Sequence, residues 1–310
     1  MQKIILSYGE ILWDILPTET ILGGAPFNFA YRINSLGERG IFVSRLGKDE
    51  QGEKALKSAE SLGIDTSYLQ WDEKYPTGKV LVSFDEEKNP DYVIVPEVAY
   101  DYIEITDKLK IAAQSADCFS FGTLVQRSPK TRSTLEQLLE LSEKSIKLLD
   151  INLRKKCYSP DTITQSLKYA DILKLNDDEA VMLFEILNLK YDTIENFCTE
   201  IINRYSLSCC LVTMNEKGAF AMSEDNQKVY VPGYKLKLQD SLGSGDAFTA
   251  GFIHNYLRGS SLKKSCEFGN ILGAICATQK GATQPITREM IDTLQNTDSE
   301  RLYAEDFDTL

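Results

Sequence analysis

Asp240-Ser241-Leu242-Gly243-Ser244-Gly245-Asp246-Ala247-Phe248-Thr249-Ala250-Gly251-Phe252 is the stretch that decides how this chain is read. The small residues Gly243, Ser244 and Gly245 precede an acid, Asp246, and an amphipathic run follows to about Leu257. Small residues before a helix leave backbone N–H groups unshielded, and the helix N-terminus adds partial positive charge, so the turn is an anion cradle. A carboxylate in such a cradle repels an anion unless it has a task there. An acid beside a phosphate cradle points to phosphoryl transfer, with Asp246 taking the proton of an attacking hydroxyl. The segment alone also reads as a glycine-rich turn with Asp246 as a first-turn helix acid. By the helix-dipole argument Asp246 should have a low pKa and be a weak base, which a loose transition state tolerates.

Working outward, residues 3–7 read as a buried first strand, 26–36 as a helix ended by Gly37, 41–44 as a strand and 49–62 as a helix stopped by Gly63. Strand-rich stretches at 79–84 and 92–95 flank the polar turn 85–90, which predicts an antiparallel excursion from the sheet edge. Strands are then expected at 118–121, 146–150, 172–175 and 209–213, helices at 129–143, 162–169 and 178–187, and a hairpin of 219–222 with 228–231. Two helices near 244–257 and 261–279 follow. Alternating strands and helices imply an α/β fold with a mostly parallel sheet covered on both faces. No repeat or long linker interrupts the pattern, so one main domain over 1–310 is favoured.

Composition removes several function classes. The chain has 310 residues, is 43% hydrophobic and carries a formal net charge of −12, so nonspecific nucleic-acid or anionic-membrane binding is not expected. No apolar run approaches a membrane span, and residues 3–6 are too short for a signal peptide's apolar core. The seven cysteines form no C-x-x-C pair and read as reduced thiols of a cytoplasmic protein. His254 is the only histidine, which removes multi-histidine metal sites and leaves His254 as a helix-surface residue or a neighbour of a nucleotide pocket.

A second run, Gly23-Gly24-Ala25-Pro26-Phe27-Asn28-Phe29-Ala30, again places paired glycines before a helix, with Asn28 suited to recognising hydroxyls. Taken with 240–252, the order of motifs resembles the ribokinase-like (PfkB) carbohydrate kinases over nearly the whole chain, and fructokinases most of all. Gly9-Glu10 followed by Asp14, Phe121-Gly122-Thr123-Leu124, and Asp150-Ile151-Asn152-Leu153-Arg154 are similar to fructokinase segments.

The resemblance implies a three-layer α/β/α sandwich with a small β-lid built from about 15–22 and 77–96. It implies ATP as co-substrate, Mg²⁺, and a sugar whose hydroxyl is phosphorylated, most simply O6 of fructose. Ribose, 2-keto-3-deoxygluconate or a nucleoside stays open as the acceptor, as does a non-catalytic binder. Asp246 is then the base, with the amides of Gly243, Ser244 and Gly245 as the anion hole and Arg154 neutralising developing charge. Asp14, Gly23, Gly24, Asn28 and Asn152 would face the sugar. Asn176, Thr213, Gly218, Asn270 and Gly273 would border the nucleotide, and Glu179 would sit by Mg²⁺ and its waters. Asp240 marks where relatives hold a monovalent cation such as K⁺, but Ser241-Leu242 replaces the usual Thr-Gly or Thr-Thr there. Exposed lid strands suit pairing into a homodimer. Read without the family, Asn176-Asp177-Asp178-Glu179 would open a helix in any protein. The Walker A alternative fails at Gly47-Lys48-Asp49, and no G-x-G-x-x-G follows the first strand.

Overall fold

A computed structural model describes residues 1–16, 18–84, 90–189, 193–296 and 299–307, with the backbone alone at 82–84, 90–92 and 306. The chain opens with β1 (Ile4–Tyr8), sends out β2 (Leu12–Ile15) and β3 (Thr20–Gly23), and returns through α1 (Ala25–Ser35) to β4 (Arg39–Gly47). After α2 (Glu50–Ser61) and β5 (Leu69–Asp72), β6 (Gly78–Phe84) and β7 (Pro90–Ile94) leave the main sheet again. There follow α3 (Asp107–Ser115), β8 (Cys118–Phe121), α4 (Pro129–Leu141), β9 (Ile146–Asp150), α5 (Pro160–Tyr169), β10 (Ile172–Asn176), α6 (Asp177–Leu187), α7 (Ile194–Tyr205) and β11 (Cys209–Thr213). The hairpin of β12 (Gly218–Ser223) and β13 (Lys228–Tyr234) leads to α8 (Ser244–Tyr256), α9 (Leu262–Ala277), α10 (Arg288–Asn296) and β14 (Arg301–Leu302).

The main sheet runs β14-β13-β12-β11-β10-β9-β8-β1-β4-β5. From β11 to β5 every neighbouring pair is parallel, and β12, β13 and β14 cap one edge in antiparallel fashion. Strand alternation sorts the core into two layers. Leu6, Leu149, Leu173 and Val212 face the layer that holds Leu109, Leu135, Ile163 and Phe197 of α3, α4, α5 and α7. Ile5, Leu148, Ile172 and Leu211 face Phe29 of α1, Phe248 and Phe252 of α8, and Cys266 of α9. The three-layer α/β/α expectation holds.

A second sheet, β3-β2-β6-β7, stands apart from the first. Its β6 and β7 pair antiparallel as expected, with Leu81 opposite Val93, but β2 joins β6 in parallel. The excursion also begins earlier than residue 15, because Leu12 already pairs with Gly78. The polar turn read at 85–90 lies, at 85–89, outside the described residues. No helix among the described residues is long and apolar enough to cross a membrane. His254 is not a free surface residue: its Nδ1 lies 2.8 Å from the buried Glu38 carboxylate, near the C-terminal end of α8.

Candidate active site

The C-terminal ends of the parallel strands meet the N-termini of α1 and α8. Gly243 caps α8 at φ 76, and a Cβ there would lie 2.3 Å from the Ala282 side chain, so both conformation and space demand glycine. The amides of Gly243 and Gly245 have no hydrogen-bond partner among the described residues. The Ser244 amide instead donates to Ser241 O at 3.2 Å, and the Ser244 hydroxyl donates to the same oxygen. In this structure the cradle therefore presents two free amides of the three expected.

Asp246 follows in the first turn, on the floor of a cleft it shares with Glu10, Ala25, Ser120, Thr123 and Asn152. Asn28 of α1 donates its Nδ2 to Asp246 Oδ2 at 2.9 Å, while its own buried Oδ1 has no partner. The two glycine-rich runs, 218 residues apart in sequence, thus converge on one carboxylate. Gly24 makes the approach feasible: at φ 118 it caps α1, and a Cβ would lie 2.5 Å from Glu10 O. Asp14 on β2 stands beside Gly23 on β3, where an added Cβ would meet Asp14 Oδ2 at 3.2 Å. The second sheet thereby carries two of the expected sugar-facing residues, Asp14 and Gly23.

The low pKa expected for Asp246 is wrong in sign. Burial first and the nearby Asp150 second raise it, Asn28, Lys174 and Arg154 only partly oppose them, and the net result is about 6. Desolvation outweighs the helix dipole because the carboxyl is walled by protein on most sides, and a terminal half-charge cannot replace bulk water. Asp14 likewise rises to about 6 and Glu10 to about 7, both through burial, with the Arg154 charge pulling the other way. Arg154 is exposed, yet its field reaches all three acids.

Asn152 adopts φ 41, a left-handed conformation that asparagine tolerates, on the loop leaving β9. Glu179 holds that loop. Its carboxylate accepts from Leu153 N at 2.7 Å and Asn176 N at 2.9 Å, and Asn176 Oδ1 accepts from Glu179 N. The pair is a complete capping box that also pins the 151–154 segment. With one lone pair left on each oxygen, Glu179 suits a water-bridged Mg²⁺ better than a direct ligand, and among the described residues no group of three acidic, cysteine or histidine side chains is arranged to hold a metal ion by itself.

Of the expected nucleotide residues, Asn176 joins this constellation through Glu179, and Gly273 touches it from α9. A Cβ on Gly273 would lie 3.0 Å from Ser244 O, so it lets α9 press on the start of α8. Asn270 donates to Pro232 O, Thr213 closes β11, and Gly218 (φ 97) begins β12 at the same strand ends. Asp240 accepts from Leu242 N and Gly281 N, one on each oxygen, clasping two loops together.

Lys174, Asp150, Thr249 and Glu10 belong to the site but escaped the sequence reading as functional residues. Lys174 Nζ lies 3.1 Å from Asp150 Oδ1, and Thr249 Oγ1 donates to Asp150 Oδ2. A lone lysine inside the apolar run Ile172-Leu173-Lys174-Leu175 was the available signal, since lysine is almost never buried unless paired.

Motif geometry and whole-chain comparison agree at this point. The model of the pfkB family of carbohydrate kinases matches residues 8–289. The chain belongs to this family. As a PfkB member it is a phosphotransferase with a sugar hydroxyl as acceptor. It is 26% identical to fructokinase-1 of Zea mays over 315 aligned positions, covering 93% of this chain and 96% of the relative. Among solved structures, the fold matches fructokinase with bound ATP from Xylella fastidiosa at TM-score 0.84 and 20% identity, over 96% of this chain and all of the other. It also matches 2-dehydro-3-deoxygluconokinase of Thermotoga maritima at TM-score 0.83 and 17% identity, over 96% of this chain and 100% of that one.

Proposed function

We propose that this PfkB kinase transfers the γ-phosphoryl of ATP to O6 of fructose, with Asp246 as the base. The observation that carries the reading is the 2.9 Å bond from Asn28 Nδ2 to Asp246 Oδ2, which ties the sugar-side motif to the phosphate-side motif. One Asp246 oxygen is held by Asn28, which leaves the other to receive the hydroxyl proton. A pKa of about 6 keeps Asp246 mostly ionised at neutral pH and makes it a better proton acceptor than an ordinary aspartate. The free amides of Gly243 and Gly245 at the start of α8 suit the charge on the transferring phosphoryl. Asp14 and Gly23 on the lid sheet, with Asn152, are suited to sugar hydroxyls, and lid closure would exclude water as a competing acceptor.

A neutral sugar fits the charge of the cleft better than an acidic one. Glu10, Asp14 and Asp246 crowd it with carboxyls, and Arg154 is the exposed cation acting on all three. Mg²⁺, when bound with ATP, would supply neutralisation of the β- and γ-phosphates, with Glu179 as its water-mediated neighbour. A monovalent cation at Asp240 has a weaker basis, because both carboxylate oxygens already hold loop amides. Seven buried free thiols support a cytoplasmic setting, and the exposed cross-strand pair Leu81 and Val93 on the lid supports a homodimer.

The test is ADP release with Mg-ATP over fructose, ribose, 2-keto-3-deoxygluconate and a nucleoside panel. Fructose is expected to give the highest kcat/KM. A large preference for another acceptor overturns the substrate, and no turnover on any of them overturns the kinase reading.

A further inference from the structure

Lys174 is a buried ammonium acted on by three acids of the site, Asp150, Glu179 and Asp246. Its register puts it there: in the parallel pair β9/β10 it lies directly opposite Asp150, and alternation sends both toward α8 rather than toward the layer of Leu149 and Leu173. The ammonium side chain is 9% exposed and among the described residues makes one hydrogen bond, to Asp150 Oδ1, although it has more N–H groups to give.

Its position relative to α8 is unusual. A Cβ on Gly245 would lie 3.2 Å from Lys174 Nζ. The Cα–Cβ direction in a helix tilts toward the N-terminus, so the ammonium stands at the mouth where the first-turn amides point. A buried cation at the positive end of a helix is poorly placed unless an anion comes between them. Asp150 gives one oxygen to the ammonium and the other to Thr249 of α8, 3.1 Å away, and neither accepts from the Gly245 amide, which has no partner among the described residues.

Resting on the kinase reading above, the geometry points to Lys174 as a further catalytic residue that binds the transferring phosphoryl at the Gly245 amide. In that step the sugar hydroxyl oxygen forms the new O–P bond and its proton passes to Asp246. The bond from the γ-phosphorus to the β–γ bridging oxygen breaks, and its electron pair leaves with ADP. Lys174 takes no proton and forms no bond; it offsets the phosphoryl charge that Asp246, Asp150 and Glu179 would otherwise repel. Burial works against its charge, but these three acids outweigh that cost and keep the ammonium protonated.

The experiment compares wild type, K174M, D150N and the double variant D150N/K174M by steady-state kinetics with fructose and Mg-ATP, with thermal melting of each. K174M should lower kcat by about 10²–10³-fold, the scale of losing one charge-stabilising donor, with the sugar KM moved less than about threefold. Melting should fall in K174M, which strands the Asp150 carboxylate, and recover in the double variant, which strands nothing. The double variant should nevertheless stay as slow as K174M, while D150N alone should lose less than about tenfold. Recovery of kcat in the double variant overturns the proposal, because Lys174 would then only balance Asp150. So does a K174M enzyme with near-wild-type kcat, or a D150N enzyme as slow as K174M. A wild type inactive on every acceptor is a different outcome, the failure of the kinase reading itself.

Discussion

The two ends of α8, about 20 Å apart along the axis, each carry an enclosed cluster of charges, and the clusters are balanced in opposite ways. At the C-terminal end one acid meets a surplus of donors. Glu38, with a side chain 0% exposed, accepts from Lys3 N at 2.7 Å and from Arg258 Nε at 2.8 Å, and lies 2.8 Å from His254 Nδ1. Cations at a helix C-terminus also suit its dipole. At the N-terminal end the acids are in excess: Asp246, Asp150 and Glu179 surround Lys174, and burial, with the Asp150 charge second, raises the pKa of Asp246. The first cluster is complete and serves as a tie between α8, β1 and the turn before β4. The second is incomplete in the way a site is before its substrate arrives, with free amides, an under-used ammonium and a base above its ordinary pKa.

The comparison breaks most sharply with Asp246→Asn. Loss of the base should cost about 10³-fold or more in kcat, read by ADP release at saturating fructose. The variant should melt at the same temperature as wild type or higher, because it removes a carboxyl that the fold desolvates. A clear drop in melting temperature would mean that the N-terminal cluster is structural like the other one. Glu38→Ala is the mirror experiment. Removing the acid leaves the Lys3 amide and His254 without their partner beside a half-exposed Arg258, which should cost about 1–3 kcal/mol of stability by denaturant titration. The folded fraction should keep its kcat within about twofold, since distant sites act nearly independently. A large kcat loss at unchanged stability would show that the far cluster reaches the chemistry.

Much of this contrast was invisible in the sequence, for a physical reason. The parallel strands, the excursion at 79–84 and 92–95, and the helices read at 129–143, 178–187 and 244–257 were legible because hydrophobic period and glycine stops are local signals. α3, α7 and α10 were passed over; α3 and α10 bury few side chains, whereas α7 carries an apolar stripe, Ile194, Phe197, Cys198, Ile201 and Ile202, that the reading missed. Asp246, Asn28 and the glycines stood out because a run of small residues before a helix is itself a local pattern, complete within a few positions. The site's electrostatics did not, since they depend on which residues meet. Asp150 and Lys174 are 24 residues apart and become partners only through the β9/β10 register. The dipole argument for Asp246 failed for the same reason: it used the one neighbour that sequence supplies, its own helix, and could not weigh burial or Asp150.

The smallest expected effect, and the one that sharpens the comparison, is the pH dependence of stability. Asp246 is raised from 3.8 to about 6 on folding, so between those values the folded chain holds more protons than the unfolded one. Its contribution to stability therefore grows as pH falls from about 6 toward 4, while activity is lost over the upper part of that range as the base becomes protonated. His254 behaves in reverse. Burial, against the pull of Glu38, lowers its pKa below 6.5, so the unfolded chain binds the proton more readily and stability is lost as pH falls through 6.5. Melting curves at pH 7.5, 6 and 5 should separate the two ends: Asp246→Asn should remove the gain on acidification, and His254→Gln should remove part of the loss. The kcat/KM profile of wild type should fall below about pH 6, more steeply than a single titration because Asp14 and Glu10 protonate in the same range. If both substitutions shift the melting profile in the same direction, the two clusters are not opposites, and α8 does not join a finished tie to an unfinished site.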